Sequence, residues 1–527
     1  VRNLRRLSQV LFLLVFVFLF MRTEYGGTNE LQYPVKVFLD FDPLNGLSSL
    51  LASRSLPSNW FFALATLLVT AVLGRFFCGW VCPFGTLHHA LSYTRKKIEK
   101  GREKWLPAQR VKYLVLAAVL VTAGLSLQMT GVADPLSLLI RSLGLGINPA
   151  YNEIGHLVFD LIYRSDIRPL TRVSESVFAF LRSHHILSFQ VPHFSQAFFL
   201  SVLFLGILSL NFLRKRFWCR YLCPLGAMLG LASRLSFLRL HTSTETCNEC
   251  RRCVKDCPAE ADPFPAGHWK VSECFTCWNC VENCDRSAVK FRFGRPKLRL
   301  AAPEKIDLGR RRLILTGVAA AAAVPLYRGG AVMKRTRSPL LIRPPGAEEE
   351  KRFLEKCVRC SECMKVCLTN VIQPAFLEAG LEGIWTPLLS MRRGYCEFSC
   401  TLCGQVCPTQ AIRRLGVEEK QKVKIGLAFI DTARCLPYAF GTECIVCEEH
   451  CPTPKKAIWF QETEVRLRDG STRRLKQPRV DPDLCIGCGI CEYRCPVVDR
   501  PAVYCTSVGE SRSRDNQLIL SSYGGGG

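Results

Sequence analysis

The sequence has no Cys-x-x-Cys-His segment, which excludes a covalently attached c-type haem. It has no Gly-rich dinucleotide loop, so a nicotinamide or flavin nucleotide has no recognisable cradle. Histidine is scarce at nine residues, and the histidines are not paired within the long apolar runs as haem ligands would be. No acid, base and nucleophile stand in a catalytic pattern, so no catalytic residue is assigned and enzyme status stays open. The formal net charge is +26, yet no nucleic-acid recognition motif accompanies the basic residues. What the chain does have is long apolar runs and 29 cysteines among 527 residues.

The basic residues concentrate beside the apolar runs, at Arg2-Asn3-Leu4-Arg5-Arg6, Arg95-Lys96-Lys97, Arg214-Lys215-Arg216 and Arg310-Arg311-Arg312. That asymmetry is the footprint of a membrane protein with its positive loops inside. Four runs are expected to span as helices, about Leu7 to Met21, Trp60 to Phe77, Val111 to Val132 and Ala197 to Leu213. With a cytosolic start, the basic stretches 94–110 and 214–220 fall on the inside. The expected fold class is therefore an α-helical membrane protein with four spans in a parallel two-fold repeat, carrying small α+β ferredoxin-like modules.

The repeat is read from two elements. Asp42-Pro43-Leu44 and Cys78-Gly79-Trp80-Val81-Cys82-Pro83 in one half match Asp134-Pro135-Leu136 and Cys219-Arg220-Tyr221-Leu222-Cys223-Pro224 in the other. In each half the cysteines stand four apart, on one face of a helix that the proline is expected to end. Cys78, Cys82, Cys219 and Cys223 are candidates for a seventh [4Fe-4S] cluster; a pair of dithiols is the plainer alternative. The Asp-Pro-Leu elements are expected to be turns capping helices on the opposite face. His88 and His89 follow the first cysteine pair and are candidates for proton or quinone chemistry, against a packed or interfacial role.

The other cysteines lie in bursts of four, a spacing that disulfides do not need and metal cores do. Cys247, Cys250, Cys253 and Cys257, then Cys274, Cys277, Cys280 and Cys284, are both C-x2-C-x2-C-x3-C. In such motifs three cysteines wrap one cubane and the fourth reaches its neighbour, so Cys284 completes the first cluster and Cys257 the second. Asp285 stands where proline is usual. Four more bursts follow: Cys357, Cys360, Cys363, Cys367; Cys396, Cys400, Cys403, Cys407; Cys435, Cys444, Cys447, Cys451; and Cys485, Cys488, Cys491, Cys495. Two of them depart from the spacing, opening with C-x3-C at Cys396 and C-x8-C at Cys435. Structural zinc favours two separated pairs, so the cofactors expected are six [4Fe-4S] clusters. Cys505 is left over, as a packed thiol.

Between the bursts, Arg310-Arg311-Arg312 is followed by an apolar run from Leu313 to Leu326 that includes five alanines. It resembles a twin-arginine export signal lodged mid-chain, and a fifth span is expected there, with the bland alternative a surface helix. The expected organisation is 1–240 membrane domain, 241–300 two-cluster cytoplasmic module, 301–330 signal and fifth span, 331–356 flexible linker, 357–510 four-cluster periplasmic domain and 511–527 tail.

On these motifs residues 1 to about 300 resemble the membrane polyferredoxins of the periplasmic nitrate reductase and methylamine utilisation systems. Residues from about 305 to 505 resemble the exported four-cluster ferredoxins of the same systems, so the chain reads as a fusion of the two. The resemblance implies a role in taking electrons from quinol and passing them to a periplasmic enzyme or cytochrome, with a cytoplasmic donor as a further partner. It implies a place in a respiratory chain and in the inner (cytoplasmic) membrane of a bacterium or archaeon. It also implies nested pairing of the four later motifs, Cys495 completing the cluster of Cys357, Cys360 and Cys363, and Cys367 that of Cys485, Cys488 and Cys491. A nitrous-oxide-respiration regulator family shares the paired Cys-x3-Cys-Pro core, but it carries a large flavin domain before the first span, where this sequence has six residues.

The function expected is membrane-bound electron transfer between the quinone pool and a redox partner, possible at most as a quinol dehydrogenase subunit in enzyme terms. Rival readings are an electron-supplying assembly factor for a periplasmic metalloenzyme and a redox sensor, the latter short of an output domain. If the two cluster arrays lie on opposite faces, about 30 Å of hydrocarbon separates them, too far for one hop.

Overall fold

The structure, a computed structural model, describes residues 1–93, 107–188, 191–295, 308–333, 338–466 and 470–518. Of the basic stretch expected inside at 94–110, residues 94–106 lie outside the described residues, as do the segments 296–307 and 334–337 and the tail beyond 518.

Helix α1 (Arg2–Arg22) has 21 residues, about 30 Å at 1.5 Å per residue, and is continuously apolar from Val10 to Met21. Its Phe16 and Phe20 are buried, while Leu7, Leu11 and Leu14 face outward and are more than half exposed. Among the described residues up to Ala232, nine helices of eight residues or more follow: α2 (Pro43–Ser53), α3 (Trp60–Leu73), α4 (Pro83–Tyr93), α5 (Val111–Gly124), α6 (Pro135–Ser142), α7 (Asn148–Arg164), α8 (Arg168–Ser183), α9 (Ala197–Ser209) and α10 (Pro224–Ala232). Phe16, Leu44, Phe84, Leu136, Phe204 and Leu225 meet in one apolar core.

This architecture corrects the four-span fold class. Among the described residues only α1 is long and apolar enough to cross a membrane. The other apolar runs make shorter helices than their lengths in sequence suggest. The run from Trp60 stops being helical at Leu73, because Gly74 takes a left-handed φ of 79°. The run from Val111 ends at Gly124, and the helix from Ala197 ends at Ser209. Helices α3 and α5 have 14 residues each, about 21 Å, against a hydrocarbon core of about 30 Å. The expected fifth span falls within α11 (Leu308–Met333), which is not among the helices apolar enough to cross. It contains Pro325 and lies beside α5, where Arg328 donates to the Ser126 carbonyl.

What recurs between the halves is local. Asp42 accepts from the Leu44 N–H at 2.8 Å and Asp134 from the Ser137 N–H at 2.7 Å, each capping a helix that begins with proline. Both carboxylates are buried, and Asn45 Nδ2 stands 3.3 Å from an oxygen of each. The cysteine pairs recur as well, but their prolines do not end helices. Cys78 and Cys219 lie in π-helical turns (Phe77–Val81 and Trp218–Leu222), and Pro83 and Pro224 start α4 and α10.

Three small ferredoxin-like units complete the molecule. Strands β1 (Leu238–Thr242) and β2 (Val289–Phe293) pair antiparallel and close the unit that holds Cys247 to Cys284. In the second unit β3 (Ile372–Pro374) pairs with β4 (Pro387–Leu389), and a bridge from Ala347 to Ile412 joins the chain before Cys357 to the chain after Cys407. In the third, β5 (Leu427–Ile430) precedes a long hairpin, β6 (Ile458–Arg466) with β7 (Thr472–Val480), and pairs with β8 (Val503–Thr506) after Cys495. Residues 338–356, expected within a flexible linker, are instead packed: Leu341, Ile342, Arg343 and Phe353 are all buried.

Candidate metal centres

Each of the six cysteine bursts places its third cysteine in a one-turn helix. Cys253, Cys280, Cys363, Cys403, Cys447 and Cys491 all sit this way. In the four regular motifs the two residues flanking the second cysteine are left-handed: Glu249 and Arg251, Thr276 and Trp278, Arg359 and Ser361, Gly487 and Gly489. Six of those eight are not glycine, and a left-handed non-glycine residue costs roughly 1–2 kcal/mol. Such alternation turns successive N–H groups toward one concavity, the backbone arrangement that receives anionic iron–sulfur cores. The two irregular motifs, at Cys396 and Cys435, lack it.

The cysteines gather in quartets. Cys357, Cys360, Cys363 and Cys407 line one cavity, Cys367, Cys396, Cys400 and Cys403 a second, and Cys435, Cys444, Cys447 and Cys495 a third. Each encloses about 360 to 390 Å³ of empty space, part of it open to solvent. Cys451 joins Cys485 and Cys491 in the fourth quartet, with Cys488 beside Cys491. In the first unit Cys284 stands with Cys247, Cys250 and Cys253, and Cys257 with Cys274, Cys277 and Cys280.

The nested pairing implied by resemblance is therefore corrected. Motifs exchange their fourth cysteines with the next in sequence, because the strand and bridge pairings close each unit as a local loop. Cys407, not Cys495, completes the Cys357 quartet, and Cys367 joins the Cys396 quartet.

The donor sets fit a polynuclear iron–sulfur core. Burial, reinforced by neighbouring thiols, pushes Cys274 and Cys447 up to about 12. Four such sulfurs facing one another become thiolates only around a cationic metal core. Cys505 is buried as expected, but it also lies in hydrogen-bond contact with Cys491.

Cys78, Cys82, Cys219 and Cys223 also come together, as mutual charge neighbours drawn from two turns far apart in sequence. Cys82 Sγ accepts from the Gly85 N–H at 3.4 Å and Cys223 Sγ from the Gly226 N–H at 3.2 Å. The first ferredoxin-like unit docks on this site. Trp80 Nε1 donates to the Thr276 carbonyl at 3.0 Å, and Cys219, Cys274 and Phe275 share an apolar cluster joined by Cys78 and Cys257. Buried ion pairs lock the interface, Glu273 with Lys112 and Arg75, and Arg220 with Glu260.

The second unit docks at the far end of α1. Lys365 Nζ donates to the Thr23 carbonyl at 2.8 Å and lies over the Phe20 ring, while Arg141 stacks on Trp385 at 4.4 Å. Arg2, at the other end of α1, pairs with Glu282 of the first unit. The two sets of quartets thus sit at opposite ends of one helix about 30 Å long.

The structure separates His88 from His89. His88 is buried, with Nδ1 2.7 Å from Asn211 Nδ2 and no partner for Nε2, and burial lowers its pKa to about 4. His89 lines a basic cavity with Arg2, Arg6, Lys215 and Arg216, next to Cys257. Sequence reasoning missed Arg75 and Arg216, although each stands three residues before the first cysteine of its pair.

Residues 56–101 and 196–242 match a family described as a 4Fe-4S binding domain, and residues 478–498 match a second family of that description. The chain is 36% identical over 210 residues to the ferredoxin-type protein NapG of Escherichia coli (strain K12), covering 39% of this chain and 87% of that protein. It is 36% identical over 194 residues to the methylamine utilization ferredoxin-type protein MauM of Methylorubrum extorquens, covering 35% of this chain and 84% of the relative. With the ferredoxin-type protein NapF of E. coli it shares 31% identity over 163 residues, 31% of this chain and 85% of that protein. No solved structure matches.

Proposed function

The chain belongs to the family of ferredoxin-type proteins that includes NapG and MauM and is an iron–sulfur electron-transfer protein with [4Fe-4S] centres; on that premise we propose that it links the quinone pool to a periplasmic redox partner at the cytoplasmic membrane. In this reading six cubanes occupy the six quartets and a seventh occupies Cys78, Cys82, Cys219 and Cys223. The chain then joins in one polypeptide a two-cluster ferredoxin and its four-cluster counterpart.

The observation that carries the proposal is the placement of the quartets at the two ends of α1, with the four-cysteine site against the Cys274 loop. A cubane changes by one electron, whereas a quinol releases two with two protons, so a series of centres suits a quinol donor. An apolar cavity of about 350 Å³ runs beside α1, lined by Phe12, Val15, Leu19, Phe38, Val69 and Phe77. Phe77 belongs to the turn that carries Cys78, so a quinone held there would lie next to the four-cysteine site. The outward leucines of α1 support attachment to the bilayer. The arginine-rich start of α11 supports export of the chain beyond it.

The test is reoxidation of the dithionite-reduced protein in lipid vesicles by a soluble quinone analogue. Rapid bleaching of the reduced centres supports the proposal, and centres that stay reduced overturn it. Sidedness is read separately, by protease cleavage of a tag after residue 518 in intact spheroplasts and inverted vesicles.

A further inference from the structure

Arg75 and Arg216 occupy equivalent places in the two halves, and both are fully buried. Each reaches across to the opposite half. Arg216 Nη2 donates to the carbonyls of Cys78 at 3.0 Å and Gly85 at 2.8 Å. A Cβ added at Gly226 would lie 2.7 Å from Arg75 Nη2 and 3.4 Å from Cys223 Sγ, and one at Gly85 would lie 3.0 Å from Arg216 Nη2. Glycine at these two places leaves room for a guanidinium beside the sulfurs.

Arg75 has Cys78 and Cys223 as charge neighbours, and Arg216 has Cys82 and Cys219. Both guanidinium groups lie on the ring of Phe275, at 4.8 Å and 4.5 Å from its centroid. Phe275 stands between Cys274 and Cys277 of the neighbouring quartet.

A structural role accounts for part of this. Arg75 Nη1 donates to the Ser272 carbonyl at 2.9 Å and faces Glu273 at 3.7 Å, and Arg216 Nη2 ties two turns together. It leaves Arg75 Nε and Nη2, and Arg216 Nε and Nη1, buried with no hydrogen-bond partner. Burying a guanidinium costs several kcal/mol unless its charge is compensated. The group beside both that can supply negative charge is the four-sulfur site, since a metal core held by four thiolates is anionic.

We propose that Arg75 and Arg216 are the paired counter-charges of a metal–thiolate centre at Cys78, Cys82, Cys219 and Cys223, and that they raise its reduction potential. The inference rests on the reading that these four cysteines hold an iron–sulfur centre. Reduction adds negative charge there, and a fixed positive charge beside it favours the reduced form. The two arginines act through the centre, as positioning residues.

The experiment is a redox titration of the full chain, followed by electron paramagnetic resonance, with iron counted for each variant. Arg75→Gln or Arg216→Gln is expected to lower the reduced-to-oxidised ratio of one centre about tenfold at fixed potential, or ~59 mV for one electron. The centres of the later units stay where they were, and Arg→Lys variants recover most of the loss. Gln variants with full iron and unmoved potentials overturn the proposal, as do Lys variants that shift as far as the Gln ones. Should the Gln variants lose iron, Lys variants that keep both iron and potential support it, and Lys variants that lose iron too overturn it. Cys78→Ser with Cys219→Ser separates the two layers. Unchanged iron there removes the four-cysteine centre itself, whereas loss of iron there with unmoved arginine variants removes only the arginine role.

Discussion

Cys396 donates its backbone N–H to the carbonyl of Cys488 at 2.8 Å, so the Cys396 quartet is bonded directly to the Cys485 quartet of the next unit. The later quartets therefore follow one order: the Cys357 quartet against the helical core, then those of Cys396, Cys485 and Cys435. Near the last, Phe440, Ile445 and Val498 are exposed, Val498 at 95%.

Quartet membership is checked by counting iron in double variants. Cys357→Ser with Cys407→Ser is expected to lose no more than either single variant, roughly the four irons of one cubane. Cys357→Ser with Cys495→Ser is expected to lose about twice that. The reverse result would restore the nested arrangement.

Glu350 lies between two arginines, with Oε1 2.6 Å from Arg343 Nη2 and Oε2 2.9 Å from Arg512 Nη1. Burial alone would raise its pKa, but the arginines outweigh it and hold the carboxyl at about 2, below the ordinary 4.5. The folded pKa is depressed, so the ion pairs stabilise fully above about pH 4.5 and that stability drains away as pH falls toward 2. Glu350→Gln should cost about 3–5 kcal/mol at neutral pH, the usual penalty for breaking a buried pair. Urea midpoints followed by circular dichroism should show the gap between variant and parent narrowing from pH 7 to pH 3.

Gly131 packs so closely on the chain between Cys357 and Cys360 that a Cβ would collide with the Val358 carbonyl. Gly131→Ala should loosen the second unit from the helical core at a cost of about 1–3 kcal/mol. Faster hydrogen exchange over residues 356–362, with exchange over 485–495 unchanged, is the expected signature. Unchanged exchange at both would contradict the docking.

Leu11 and Leu14 point away from the protein on α1. Replacing both by glutamate should move the protein from the membrane fraction to the soluble one without loss of iron. Retention in the membrane fraction would show that α1 is not what attaches it.

The arginine pair shows how much lay within reach of the sequence. Its register before Cys78 and Cys219 is visible, but arginine beside an apolar run reads as a topology signal until folding places it on Phe275. His88 and His89 read as equivalent neighbours, yet consecutive residues of a helix face different ways, one into the core and one into a basic cavity.

By itself the sequence determined the six cysteine bursts, because the first three ligands of each motif are local and a few residues of spacing bring them together. It also determined the two Asp-Pro-Leu caps and the recurrence of the Cys-x3-Cys-Pro turns. In the first module the spacing also gave the fourth cysteines, but in the four later motifs only the tertiary structure decided which fourth cysteine closes each quartet, since that depends on β5 meeting β8 and Ala347 meeting Ile412. The same holds for the apolar runs. Hydropathy measures how long a run stays apolar, whereas the length of its helix is set by where the backbone turns, at Gly74 and beyond Gly124.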